Sequence, residues 1–89
     1  MLVRWTTLAS DDLSRIAHRI WLNNPAAARK VAKTLYDSAI SLETMPNRGR
    51  SGRIRSTREF VVAPFIIVYR VEADAVEILR VYHSAQDWP

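Results

Sequence analysis

Eighty-nine residues, 48% hydrophobic and 25% charged, fit a single domain over residues 1–89 with a thin margin of stability. The absence of cysteine excludes disulfide scaffolds, thiolate metal sites and cysteine nucleophiles. The net charge of +4 is uneven: Arg48, Arg50, Arg53, Arg55 and Arg58 fall within eleven residues that hold no acid.

That block points to an anionic partner, either nucleic acid or an acidic protein segment, because arginine is the preferred bidentate ligand of phosphate and carboxylate. The plainer reading is a solvated loop that keeps the protein soluble. No apolar run approaches the roughly 18–20 residues that span a bilayer. The opening MLVRWTTLASDD lacks the apolar centre of a secretory signal. The expectation is a soluble cytoplasmic domain with no membrane partner.

Leu2–Trp5 alternates, with Val3 and Trp5 on one side and Leu2 and Arg4 on the other, and reads as an edge strand. Ser10 followed by Asp11 and Asp12 reads as a helix cap with acids in the first turn. Leu13, Ile16, Ala17, Ile20 and Trp21 then form one helical stripe. Asn24-Pro25 starts a second helix, whose Ala28, Val31, Ala32, Leu35, Ala39 and Leu42 keep the same spacing. So short a link makes the two helices an antiparallel hairpin. Met45-Pro46 stops the second helix, and residues 47–53, with both glycines, read as a flexible loop.

Three strands follow: Arg58–Val62, Phe65–Val71 and Ala75–Tyr82. A turn at Ala73-Asp74 sets Val71 opposite Val76 and Arg70 opposite Glu77. That register puts Phe65, Ile67, Tyr69, Val71, Val76, Ile78, Arg80 and Tyr82 on one face. Ile66, Val68, Arg70, Glu77, Leu79, Val81 and His83 share the other. Both faces are largely apolar, so one awaits the helices and the other a partner. The predicted class is α+β: an N-terminal strand, a two-helix hairpin, then a three-stranded antiparallel meander.

Phosphate-cradling glycine loops, HExxH and CxxC patterns are missing, so no cofactor or metal is expected. His18 reads as a surface histidine. His83 is a candidate general acid for phosphodiester cleavage, with Arg58 stabilising developing charge, Glu59 as base and Arg80 nearby. Strand parity opposes such a site, since Arg58 and Glu59 point to opposite faces, as do Arg80 and His83. The alternative is that His83 caps a strand and the arginines hold a partner's acids. Trp5 and Trp21 read as core, and Trp88 as a pin that holds the tail against the sheet.

Three stretches in order resemble one family. VRWTTLASDDLSRIAHRI is similar to the approach to the helical hairpin in the RelE/ParE superfamily of type II toxin–antitoxin toxins. MPNRGRSGRIRSTREFV resembles its Pro–x–x–Gly–Arg to Arg–Glu passage, and IIVYRVEADAVEILRVYH its final hairpin. The resemblance covers nearly the whole chain and is nearest the ParE branch. It implies a bacterial toxin neutralised by a cognate antitoxin encoded beside it, whose extended tail lies along the helices and exposed sheet. RelE-like members cut messenger RNA on the ribosome; ParE-like members poison DNA gyrase. Nuclease members carry arginine where Ile66 stands, and basic residues where this chain has Ser84-Ala85-Gln86-Asp87. Both departures argue for a gyrase poison with no catalytic residues. In the nuclease alternative the catalytic set is His83, Arg58 and Arg80. A third reading is a non-toxic peptide- or nucleic-acid-binding domain. The expected partner-binding residues are Arg48, Arg50, Arg53, Arg55, Arg58, Tyr82, His83 and Trp88.

Overall fold

The computed structural model describes residues 1–88; Pro89, the last residue of the expected domain, lies outside the described residues. Seven elements follow one another: β1 (Leu2–Trp5), α1 (Thr7–Trp21), α2 (Pro25–Ser41), β2 (Arg50–Ser51), β3 (Arg58–Val62), β4 (Phe65–Val71) and β5 (Ala75–His83). The α+β class and the helical hairpin are as predicted, but the sheet is larger than a three-stranded meander. It has five strands in the order β1-β5-β4-β3-β2, with β1 parallel to β5 and the other pairs antiparallel. The two-residue β2 forms inside the loop expected to be flexible. It is held there by Gly49, whose amide donates to the Tyr69 hydroxyl at 2.8 Å. A side chain at Gly49 would meet the Tyr69 ring at 2.8 Å and the Glu59 carbonyl at 2.9 Å, so only glycine lets the loop come this close.

Helix α1 begins four residues earlier than the Ser10 cap predicted. Thr6 is the cap: its Oγ1 accepts from the Ala9 amide at 3.1 Å and donates to the Leu79 carbonyl at 3.1 Å. A cap that also ties the helix to β5 outcompetes Ser10, which has only local bonds to offer. Asp12 is thereby shifted out of the first turn and onto the buried side of α1. Helix α2 starts as predicted, with the Asn24 side chain accepting from Ala27 and Pro25 at the first position.

The main core lies between the helices and one sheet face. Ala9, Leu35, Ala39 and Leu42 pack on Phe65, Ile67, Tyr69, Val76, Ile78 and Val81. Trp5 is half-buried against this core and stacks on Tyr36 at 6.3 Å. Trp21 is 49% exposed, contrary to its assignment to the core, although Ile20 beside it packs against that core. A second, smaller cluster of Ile66, Val68 and Tyr82, with Leu79 and Trp88 against it, occupies the outer face. Among the described residues, no helix is long and apolar enough to cross a membrane.

The β4–β5 hairpin keeps the predicted register near its turn, with Val71 opposite Val76 and Arg70 opposite Glu77. It then slips by one: Tyr69 faces Ile78, whereas Val68 faces Arg80, leaving Leu79 as an extra residue on β5. Such a bulge reverses the facing of every residue beyond it. Val81 therefore joins the inner core and Tyr82 the outer cluster, the reverse of their predicted faces.

Candidate functional site

The end of β5 is built from side chains that the chain separates widely. Beyond Ile78, β5 has no strand on its outer edge, since β1 ends at Trp5 opposite Ile78. Asp12 of α1 takes the strand's place. Its carboxylate accepts from the Val81 amide at 2.9 Å and from Arg80 Nε and Nη2 at 2.8 and 3.0 Å. Arg15, one turn along α1, adds a contact at 2.8 Å. Burial alone would raise the Asp12 pKa; the hydrogen bonds from Arg80 and Val81 and the charges of Arg80 and Arg15 outweigh it and hold the carboxyl below its ordinary value. The same bond raises the pKa of Arg80.

Arg80, fixed by Asp12, lays its guanidinium over the Trp88 ring, 5.1 Å from the centroid. The second partner is Tyr82, whose ring stacks on Trp88 at 5.2 Å and 25°. Arg53 donates to the Trp88 carbonyl. The segment after β5 is turned back by Ser84, whose amide donates to the Pro64 carbonyl at 2.8 Å, and by His83. The His83 amide donates to Gln86 Oε1 at 2.7 Å, and its ring Nδ1 accepts from the Ala85 amide at 3.0 Å. Its ring meets the edge of Phe65 at 5.5 Å. His83 thus organises the turn after the strand.

Below Trp88 lies a charge cluster centred on Glu59, which is 2% exposed. Arg50 Nε and Nη2 donate to one carboxylate oxygen at 3.2 and 3.0 Å, and the Arg53 amide donates to the other at 3.2 Å. Both arginine side chains remain about half exposed. Tyr82 is 5% exposed, and its hydroxyl has no hydrogen-bond partner among the described residues. Burial first, then the Glu59 charge, raises its pKa, so it stays a neutral donor.

The other predicted residues lie elsewhere. Arg58 points to the helix side, donating to the Gly49 and Asn47 carbonyls at 2.7 and 3.4 Å. Arg48 stacks over Phe60 at 4.7 Å, and Arg55 is exposed. His83 and Arg58 sit opposite Phe65 and Tyr69 respectively, four residues apart on β4, or roughly 13 Å along the strand. The structure does not bring His83, Arg58 and Arg80 together. It does bring Arg50, Arg53, Arg80, Tyr82 and Trp88 together on the outer face. A groove of about 790 Å³ runs beside this cluster, between α1 at Arg15, His18 and Arg19 and the tail at His83, Gln86 and Trp88.

Two parts of this site have no clear local signature. Asp12 reads from the sequence as a helix-dipole acid, although its position three after Ala9 and four before Ile16 places it on the buried stripe. Glu59 reads only as a candidate base, and no local pattern joins it to Arg50 nine residues earlier.

Comparisons with known proteins agree on the relationship. The family described as "ParE toxin of type II toxin-antitoxin system, parDE" matches residues 3–88. A protein of Sinorhizobium fredii named "Putative toxin Y4kP" is 44% identical over 89 residues, covering 98% of this chain and 92% of the relative. The solved chromosomal ParDE system of P. aeruginosa shares the fold with a TM-score of 0.85 at 24% identity, covering 93% of this chain and 95% of that one. The toxin–antitoxin complex RelBE2 of Mycobacterium tuberculosis is similar with a TM-score of 0.70 at 26% identity, covering 92% and 95%.

Proposed function

The chain belongs to the ParE toxin family of type II toxin–antitoxin systems, and from that premise we propose that it poisons DNA gyrase by binding and is silenced by a cognate antitoxin. The observation that carries the gyrase reading is the state of the outer face. Ile66 stands where nuclease members of the wider superfamily carry arginine, and it is buried with Val68 and Tyr82 in an apolar cluster. Around it, Arg50 and Arg53 are committed to Glu59 and Arg80 to Asp12. These side chains are arranged to hold a surface in shape rather than to move protons.

An antitoxin partner is supported by the solved relatives, which are a ParDE system and a RelBE2 toxin–antitoxin complex. The basic rim of Arg48, Arg50, Arg53 and Arg55 complements an acidic antitoxin tail and would speed its association at low salt. Action on gyrase places the protein in the cytoplasm.

The experiment is induction of the protein in cells with parallel readouts of transcript ends and plasmid supercoiling. The expected result is intact transcripts, with supercoiling blocked or cleaved DNA trapped. The rival reading, a metal-independent messenger-RNA endonuclease, draws on the likeness to RelBE2 and on His83. It expects new transcript ends that vanish in His83→Ala/Arg58→Ala, since loss of a general acid costs about 10²–10⁴-fold. That result, with supercoiling untouched, would overturn the gyrase reading.

A further inference from the structure

We propose that the outer sheet face is a docking slot for a partner segment that carries an aromatic side chain beside a carboxylate, and that Trp88 is the chain's own occupant of that slot. Tyr82 supplies an aromatic surface and Arg80 a guanidinium, at 5.2 and 5.1 Å from the Trp88 ring. Ile66 and Val68 form the floor. Arg80 does not need an occupant to take up its position, because Asp12 holds it with two hydrogen bonds from beneath. A preformed slot keeps low the ordering cost of binding.

The fit of the present occupant is incomplete. Arg53 reaches a main-chain carbonyl of Trp88, a neutral acceptor, where a carboxylate makes the stronger, charge-assisted bond. The Tyr82 hydroxyl, buried beneath the same residue, donates to nothing among the described residues. The Arg50 and Arg53 side chains stay about half exposed at the rim. An acid next to the aromatic residue would give these groups a charged acceptor. A nucleotide, with a base in the slot and a phosphate at the rim, is disfavoured by Glu59, whose buried carboxylate lies among the same arginines. The slot already holds peptide, and the charge balance suits one added negative charge.

The test is fluorescence anisotropy with a short fluorescein-labelled peptide, Gly-Ser-Ala-Trp-Glu-Ala-Gly, and two controls replacing its Trp by Ala or its Glu by Gln. The expected result is that Trp88→Ala binds the peptide at least ~10-fold more tightly than the unchanged chain, since vacating the slot removes the competing occupant. Adding Arg53→Gln, or using the Gln peptide, should lose most of that gain, and the Ala peptide should not bind. Equal affinity for Trp88→Ala and the unchanged chain, or retained binding of the Ala peptide, overturns the proposal. So does tighter binding of a labelled oligodeoxyadenylate than of the peptide. A second measurement leaves the tail intact: in Trp5→Phe/Trp21→Phe, emission comes from Trp88 alone. A peptide with Phe in place of Trp should shift that emission to the red in a saturable way. An unmoved spectrum at saturating peptide also overturns the proposal. Neither readout involves gyrase or RNA, so the slot stands or falls independently of the target.

Discussion

Two tyrosines, one on each face of the same sheet, show how differently the faces are finished. Tyr69, fully buried on the helix side, donates its hydroxyl to the Pro46 carbonyl at 2.7 Å and accepts from the Gly49 amide at 2.8 Å. Tyr82, nearly as buried on the outer side, has a hydroxyl with no partner among the described residues. The first lies under two helices and closes a loop; the second lies under one half-buried indole. Trp88 is held by one stack, one cation–π contact and one main-chain hydrogen bond, each worth about 0.5–1.5 kcal/mol. The inner face is closed by the chain's own architecture, whereas the outer face has a cover that can be exchanged. A buried donor left without an acceptor is costly in a permanent core and tolerable where a partner will supply one.

Paired truncations probe this contrast with the largest effects. Ile67→Ala, at 0% exposure under the helices, should lose stability in the upper half of the about 2–5 kcal/mol range for such changes. Ile66→Ala on the outer face should fall near its lower end, because the tail can settle into the space and the helices cannot. Chemical denaturation of both variants measures the difference, and an Ile66→Ala loss matching that of Ile67→Ala would break the comparison.

Removing the two hydroxyls separates the faces more finely. Tyr69→Phe strips the partner from the buried Gly49 amide and should cost about 1–3 kcal/mol.

Acid should act on the tie between the faces, Asp12. Its folded pKa lies below the ordinary 3.8, so its contribution is fully present above that value and is lost as pH falls through the folded pKa. The melting temperature should therefore drop more steeply below about pH 4 in the unchanged chain than in Asp12→Asn, which lacks that titration. Parallel slopes between pH 5 and pH 2.5 would assign the acid sensitivity to other carboxylates. The smallest effect belongs to Tyr82→Phe, which should leave stability within about 0.5 kcal/mol of the unchanged chain. A loss above about 1 kcal/mol would mean that the hydroxyl is already satisfied and the outer face already finished.

The arginine block shows why loop composition is a poor guide to what a loop does. As a glycine-containing stretch it reads as a flexible, solvated loop. Instead Arg50 and Arg53 neutralise Glu59, which is 2% exposed, so replacing them strands a buried carboxylate. The basic rim is structural on one side and free on the other.

Much of the fold was readable in the residues themselves. The apolar spacing of Leu35, Ala39 and Leu42, the Asn24-Pro25 start, and the turn that sets Val71 against Val76 are local features, and local periodicity and turn chemistry determine them. The likeness of three stretches to one toxin family was equally legible. Tertiary structure alone decided the facing of β5. Both sheet faces are apolar, so alternation looks equally good before and after a one-residue slip, and nothing local announces the extra residue at Leu79. The slip followed from the edge of β5, where Thr6 and Asp12, more than sixty residues away, complete the hydrogen bonds that β1 is too short to make. It placed Tyr82 beneath Trp88 and Val81 in the core. The residues of the outer slot could be named from sequence, but their convergence rests on hydrogen bonds between distant segments, which form only once the sheet has closed.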